Sequence, residues 1–107
     1  EVGLDHPRLA AVLSNCGLVL DDMNDAAAGD VFRSVLAILV GAYGRDHVDV
    51  ATVRYNLGLH FMSSSLYERA KYQFDEALRV STLFLEGDHP NIRAVRTALK
   101  KLEEFVQ

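Results

Sequence analysis

The sequence predicts an all-α fold: a right-handed superhelical stack of antiparallel helix-turn-helix repeats, about five helices in all. Three observations predict it. Asp5-His6-Pro7 recurs as Asp46-His47-Val48 and again as Asp88-His89-Pro90, at spacings of 41 and 42 residues. Self-similarity at a fixed period of this length is the mark of stacked supersecondary units. Apolar residues return every three or four positions along the whole chain, with no sustained alternation of period two, which reads as helix. Small and large residues also fall at matched places in two successive units. Ala10 aligns with Ala51, Gly17 with Gly58, Ala28 with Ala70 and Phe32 with Phe74. Glycine and alanine let two antiparallel helices approach closely, and the phenylalanine fills the groove between them.

The elements follow in order. Helix one is expected from Pro7 to Asp22, with Asp5 or His6 as N-cap and Pro7 in the first turn, where its missing N–H has no partner to lose. Leu9, Val12, Leu13, Cys16, Val19 and Leu20 give it an apolar face wider than one packing contact requires. Asn24-Asp25 is expected to cap helix two, which runs to Tyr43 with Val31, Phe32, Val35, Leu36, Leu39 and Val40 in its stripe. Gly44 breaks the chain, and Asp46 is expected to cap helix three from Val48 to Met62. Ser63 to Ser65 form a turn, and Ser65 with Glu68 reads as a capping box for helix four, which ends near Leu85. Gly87-Asp88-His89-Pro90 starts helix five. Repeat one thus spans 5–45, repeat two 46–87, and a terminal helix 88–107. The chain begins without methionine, just before a repeat boundary, and is expected to be a segment of a longer protein.

Composition narrows the function. Half of the 107 residues are apolar, enough for a core. The net charge is −4 with both signs interspersed, which leaves no electrostatic footprint for nucleic acid. No apolar run is long enough to cross a bilayer. Cys16 stands alone, so no intrachain disulfide forms, and a reducing, cytoplasmic compartment is the expectation. No phosphate loop, Gly-x-Ser-x-Gly or His-Glu-x-x-His is present, and no enzyme, cofactor or metal is expected.

Leu57-Gly58, Phe61, Ala70, Phe74 and Ala77 form a small-large signature, echoed more weakly by Cys16-Gly17, Leu20, Ala28, Phe32 and Val35. This pattern resembles the tetratricopeptide repeat. The longer period, the Gly-x-Asp-His-Pro boundary and the Asn before Leu-Gly resemble its kinesin light chain-like subclass. The sequence departs from the pattern at Arg54, where a bulky apolar residue is expected, and at Val48 in place of the boundary proline. Lys100 stands where a small residue belongs, so helix five reads as a polar cap. HEAT-like repeats, of similar period, are the structural alternative.

His6, His47 and His89 occur once per repeat, about 10 Å apart on stacking helices, whereas zinc needs its ligands within about 2.1 Å of one point. They are read as turn residues. His60 is expected on the surface or in a groove, and Cys16 in the core. Asp21, Asp22, Asp25, Asp30, Glu103 and Glu104 read as solvated helix ends and faces. Asn15 and Asn56 occupy one position in both units. The resemblance puts that position on the concave groove, where an amide can donate to and accept from a peptide backbone. The plainer reading is an amide that bonds the neighbouring helix and sets repeat spacing. Ser14, Tyr55, Leu18 and Leu59 would line the same groove, and Met62, Thr97 and Lys101 would extend it. Asp21 and Asp22 would make one groove edge acidic.

The expected function is protein–protein interaction, a scaffold or adaptor segment holding a partner peptide or helix in the groove. Two alternatives stand beside it: a homodimer formed through exposed apolar helix faces, and a regulatory domain attached to an enzyme outside this segment.

Overall fold

A computed structural model describes residues 6–105, with side chains from Leu9 onward. The expected cap falls on Asp5, which lies outside the described residues, or on His6, whose side chain, like that of Pro7, is not among those described. Five helices follow one another: α1 (His6–Asp22), α2 (Ala27–Tyr43), α3 (Val48–Ser63), α4 (Tyr67–Phe84) and α5 (Pro90–Phe105). The described residues contain no strand. α1 pairs with α2 and α3 with α4, while α2–α3 and α4–α5 contacts join one pair to the next. α1 touches α3, and α3 touches α5, more lightly. The result is a slab of 53 × 33 × 19 Å, elongated as a stack of helix pairs is.

The matched small and large residues make the pairs. A Cβ added at Gly17 would lie 2.7 Å from Phe32, and one added at Gly58 would lie 2.6 Å from Phe74. Each ring therefore rests on the bare backbone of the facing helix. Phe32, Phe74, Ala28 and Ala70 are all fully buried. One core cluster joins Phe32, Leu57, Phe61, Phe74, Val95 and Leu102 across four helices. A second joins Ala10, Val35, Leu39, Val50 and Val53 across α1, α2 and α3.

The turns differ from the expectation in an informative way. Asn24 and Ser65, one repeat period apart, both adopt left-handed backbone, with φ of 58° and 62°. After each, a backbone N–H reaches back five residues: Asp25 to Leu20 O at 2.8 Å, and Leu66 to Phe61 O at 2.8 Å. These bonds close α1 and α3 in the Schellman manner. Ser65 thus ends α3 and does not cap α4; no capping box with Glu68 forms, and no side chain caps α4. Asp25 does act as expected, since its Oδ1 accepts from Ala27 N at 2.9 Å. Gly44, at φ 85°, breaks the chain after α2.

The boundary motif divides its labour. His47, not Asp46, caps α3: its Nδ1 accepts from Asp49 N at 3.0 Å, and its ring stacks on Tyr43 at 4.1 Å. His89 does the same for α5, accepting from Asn91 N at 3.1 Å. Asp46 is engaged elsewhere, accepting from Arg79 Nη2 at 2.9 Å. Arg79 also donates to Glu76 and so ties the repeat boundary to α4.

The two ends of the stack differ. α5 buries Ile92, Val95, Ala98 and Leu102 and exposes Arg93, Arg96, Lys100 and Lys101, as a polar cap should. α1 exposes Val12 and Val19, each at 58 %, and Met23 in the turn that follows is 70 % exposed. Cys16 is also exposed, against the expectation of a core position. Its equivalent Leu57 is buried because α2 covers α3, and no described helix covers α1 on that side.

Candidate functional site

α1, α3 and α5 lie side by side, and a depression of about 380 Å³ opens between α1 and α3. Ser14, Asn15 and Leu18 of α1 form one wall, and Asp49, Thr52 and Asn56 of α3 form the other. Val35 and Leu39 of α2 lie at its base. The helical periodicity explains the grouping: positions 14, 15 and 18, like 49, 52 and 56, share one side of a helix at three- and four-residue spacing. Leu18 is 42 % exposed and offers apolar area beside the amides.

Asn15 is exposed and Asn56 half-buried. Neither side chain makes a hydrogen bond to another described residue. A bond from either amide to a neighbouring helix is thus not formed among the described residues.

The remaining candidates spread out. Tyr55 lines a smaller hollow of about 60 Å³ between α3 and α5, with Ser81, Asn91 and Ala94. Its ring also lies 6.0 Å from that of Phe74. Leu59 and Met62 are half-buried against the main core and border neither hollow. Thr97 and Lys101 are exposed on α5, one period on from Tyr55 and Leu59, and also lie outside both hollows. Of the nine residues expected on one groove, the structure brings Ser14, Asn15, Leu18 and Asn56 together, and the other five lie outside that depression.

His60 has a different place from the one expected. Its Nδ1 lies 2.9 Å from Asp21 Oδ1, and its side chain is 13 % exposed. A Cβ at Gly29 would lie 2.8 Å from its Nε2, and the Phe32 and Phe61 rings are 6.5 and 6.0 Å away. The imidazole is a wedge between the two repeats. Asp21 is accordingly a partner of His60 and not a free groove edge, while Asp22 stays exposed. Ser63 and Ser64 share a small hollow with this pair. An Asp–His–Ser relay is not assembled, because Ser63 Oγ donates to the backbone carbonyl of His60 and Nε2 abuts Gly29. The signal that could have found this wedge was Gly29, a second small residue beside Ala28. Nor do the described residues contain a cluster of three or more potential metal-ligating side chains. No described helix is long and apolar enough to cross a membrane. No protein-family model matches the chain, and no curated protein matches it.

Proposed function

We propose that this chain is a protein–protein interaction module of the tetratricopeptide kind, with the boundary and Asn pattern of the kinesin light chain-like subclass. It holds an extended peptide segment across α1 and α3, in a cytoplasmic setting. The observation that carries the reading is the pair of unbonded amides, Asn15 and Asn56, on facing walls of one depression of about 380 Å³. A peptide backbone presents a donor and an acceptor at each residue, and the amides match both. Leu18 supplies apolar contact, and Asp49 at the α3 end favours a basic residue in the partner. The stack itself supports the reading, since such architectures offer extended surfaces more often than reactive centres.

Selection of binders from a peptide library, followed by nuclear magnetic resonance mapping, tests it. The expected result is saturable shifts at Ser14, Asn15, Asn56 and their amide neighbours. Selected peptides that perturb only other faces would remove the groove from the account.

One observation favours a second reading, self-association. Val12, Cys16 and Val19 of α1 and Met23 just after it are spaced by four, three and four residues, and all are exposed. This is a seam to which a second apolar helix can pair.

A further inference from the structure

Outside the groove, α2 and α4 border a second concavity of about 380 Å³, lined by Arg33, Phe61, Glu68, Arg69, Tyr72 and Gln73. Arg54 of α3 lies against two of these residues. Its Nη1 donates to Gln73 Oε1 at 2.9 Å, and its guanidinium carbon is 6.0 Å from the Tyr72 ring centre. Arg54 is only 7 % exposed, and its Nε is buried with no acceptor. A guanidinium is always charged, and the direct partner of this buried one is a neutral amide, with the Glu76 carboxylate as the opposite charge that acts on it. The fold does not require it. One repeat earlier the position is Leu13, half-buried against the apolar core. Arg54 is therefore a cation kept where an apolar residue serves the same packing.

Arg54 also orients its neighbour. A guanidinium only donates, so the amide atom facing it is Oε1, and the Gln73 NH₂ is left without a partner among the described residues. Arg69 makes no ion pair or hydrogen bond among the described residues. Arg33 sits 5.5 Å over the Phe61 ring, with Asp30 as its exposed partner at 3.0 Å. Donors thus gather at one cleft in a chain whose net charge is −4. We propose that this α2/α4 cleft binds an acidic side chain of a partner peptide, its carboxylate taken by Arg69, Arg33 and the Gln73 amide, and its apolar neighbour held by the exposed Tyr72 ring. Glu68 also lines the cleft and offsets one of its two cations. The site is independent of the α1/α3 groove.

The test is a nuclear magnetic resonance titration of the whole chain with three probes: a capped peptide alternating Glu and Leu, its Gln-for-Glu counterpart, and inorganic phosphate. The Glu peptide should shift the Gln73 side-chain amide and the Tyr72 backbone saturably, and the Gln peptide should not. Arg69→Ala should weaken binding about tenfold at an unchanged melting temperature, since Arg69 is exposed and the lost bond is charge-assisted. Arg54→Leu, which restores the residue of repeat one, should fold and yet bind more weakly. Equal response to the Gln peptide, tighter binding of phosphate, unaltered affinity in Arg69→Ala, or shifts confined to Asn15 and Asn56 would each overturn the proposal.

Discussion

Phe74 and Gly58 are two halves of one contact, so each should fail when changed in its own way. Phe74→Ala empties a fully buried site and should cost about 3–5 kcal/mol. Gly58→Leu should be as severe through overpacking, because even a Cβ there lies 2.6 Å from the ring. Urea denaturation of both variants checks this, and a parental midpoint in either would dissolve the pairing. A smaller effect belongs to the boundary histidine. His47→Ala removes the acceptor for Asp49 N and the stack on Tyr43, and should cost about 1 kcal/mol in the same measurement. Such residues were legible to different degrees. The Gly–Phe pairs could be read because both members recur one period apart. The cap could not be assigned between Asp46 and His47 from local sequence, since either can accept from an N–H; Arg79, distant along the chain, draws Asp46 away. Cys16 was misread because its burial depends on a helix on its far side, which no residue near it reports.

Among the elements, α4 carries a pH signature in its Arg79–Glu76 pair. The Arg79 guanidinium, hydrogen-bonded to Glu76, holds the Glu76 carboxyl below its usual value of 4.5. A carboxyl depressed in the folded state adds stability above its unfolded value, and loses it as pH falls through the folded one. The stability gap between the parent and Glu76→Gln should therefore be full near neutrality and close as acid titrates Glu76. Chemical denaturation at a series of pH values reads the gap; one that widens in acid would contradict the pairing. At the other end, α1 and the turn after it leave Val12, Cys16, Val19 and Met23 uncovered, whereas α5 turns a charged face outward. Sedimentation should show concentration-dependent association at about 1 mM that Val19→Glu abolishes. A chain that stays monomeric throughout would limit the exposed stripe to a surface without a partner of its own kind. The helices themselves were legible nearly to their ends, because the three- and four-residue spacing is local. The start of α4 was not: Ser65 matched a capping-box pattern, but its left-handed backbone serves the end of α3.

Over the whole molecule, a repeat of helix pairs builds a slab with two unlike faces. One presents the amides and Leu18 between α1 and α3, and the other presents the arginine-lined cleft between α2 and α4. The stack was legible because the boundary motif and the small-large pairs repeat together. The groove was legible only in part. Asn15 and Asn56 share a helical position and so meet across α1 and α3, but the depth at Leu59 and Met62 depends on core packing that no repeat period encodes. The central claim is that these two amides bind a partner and do not hold the helices apart. Titrating a selected peptide against the parent and Asn56→Ala, with melts of both, tests it most directly. The account predicts affinity lower by about 0.5–1.5 kcal/mol, several-fold, with the melting temperature unchanged. A sharp fall in melting temperature, with the affinity of the folded fraction preserved, would contradict it.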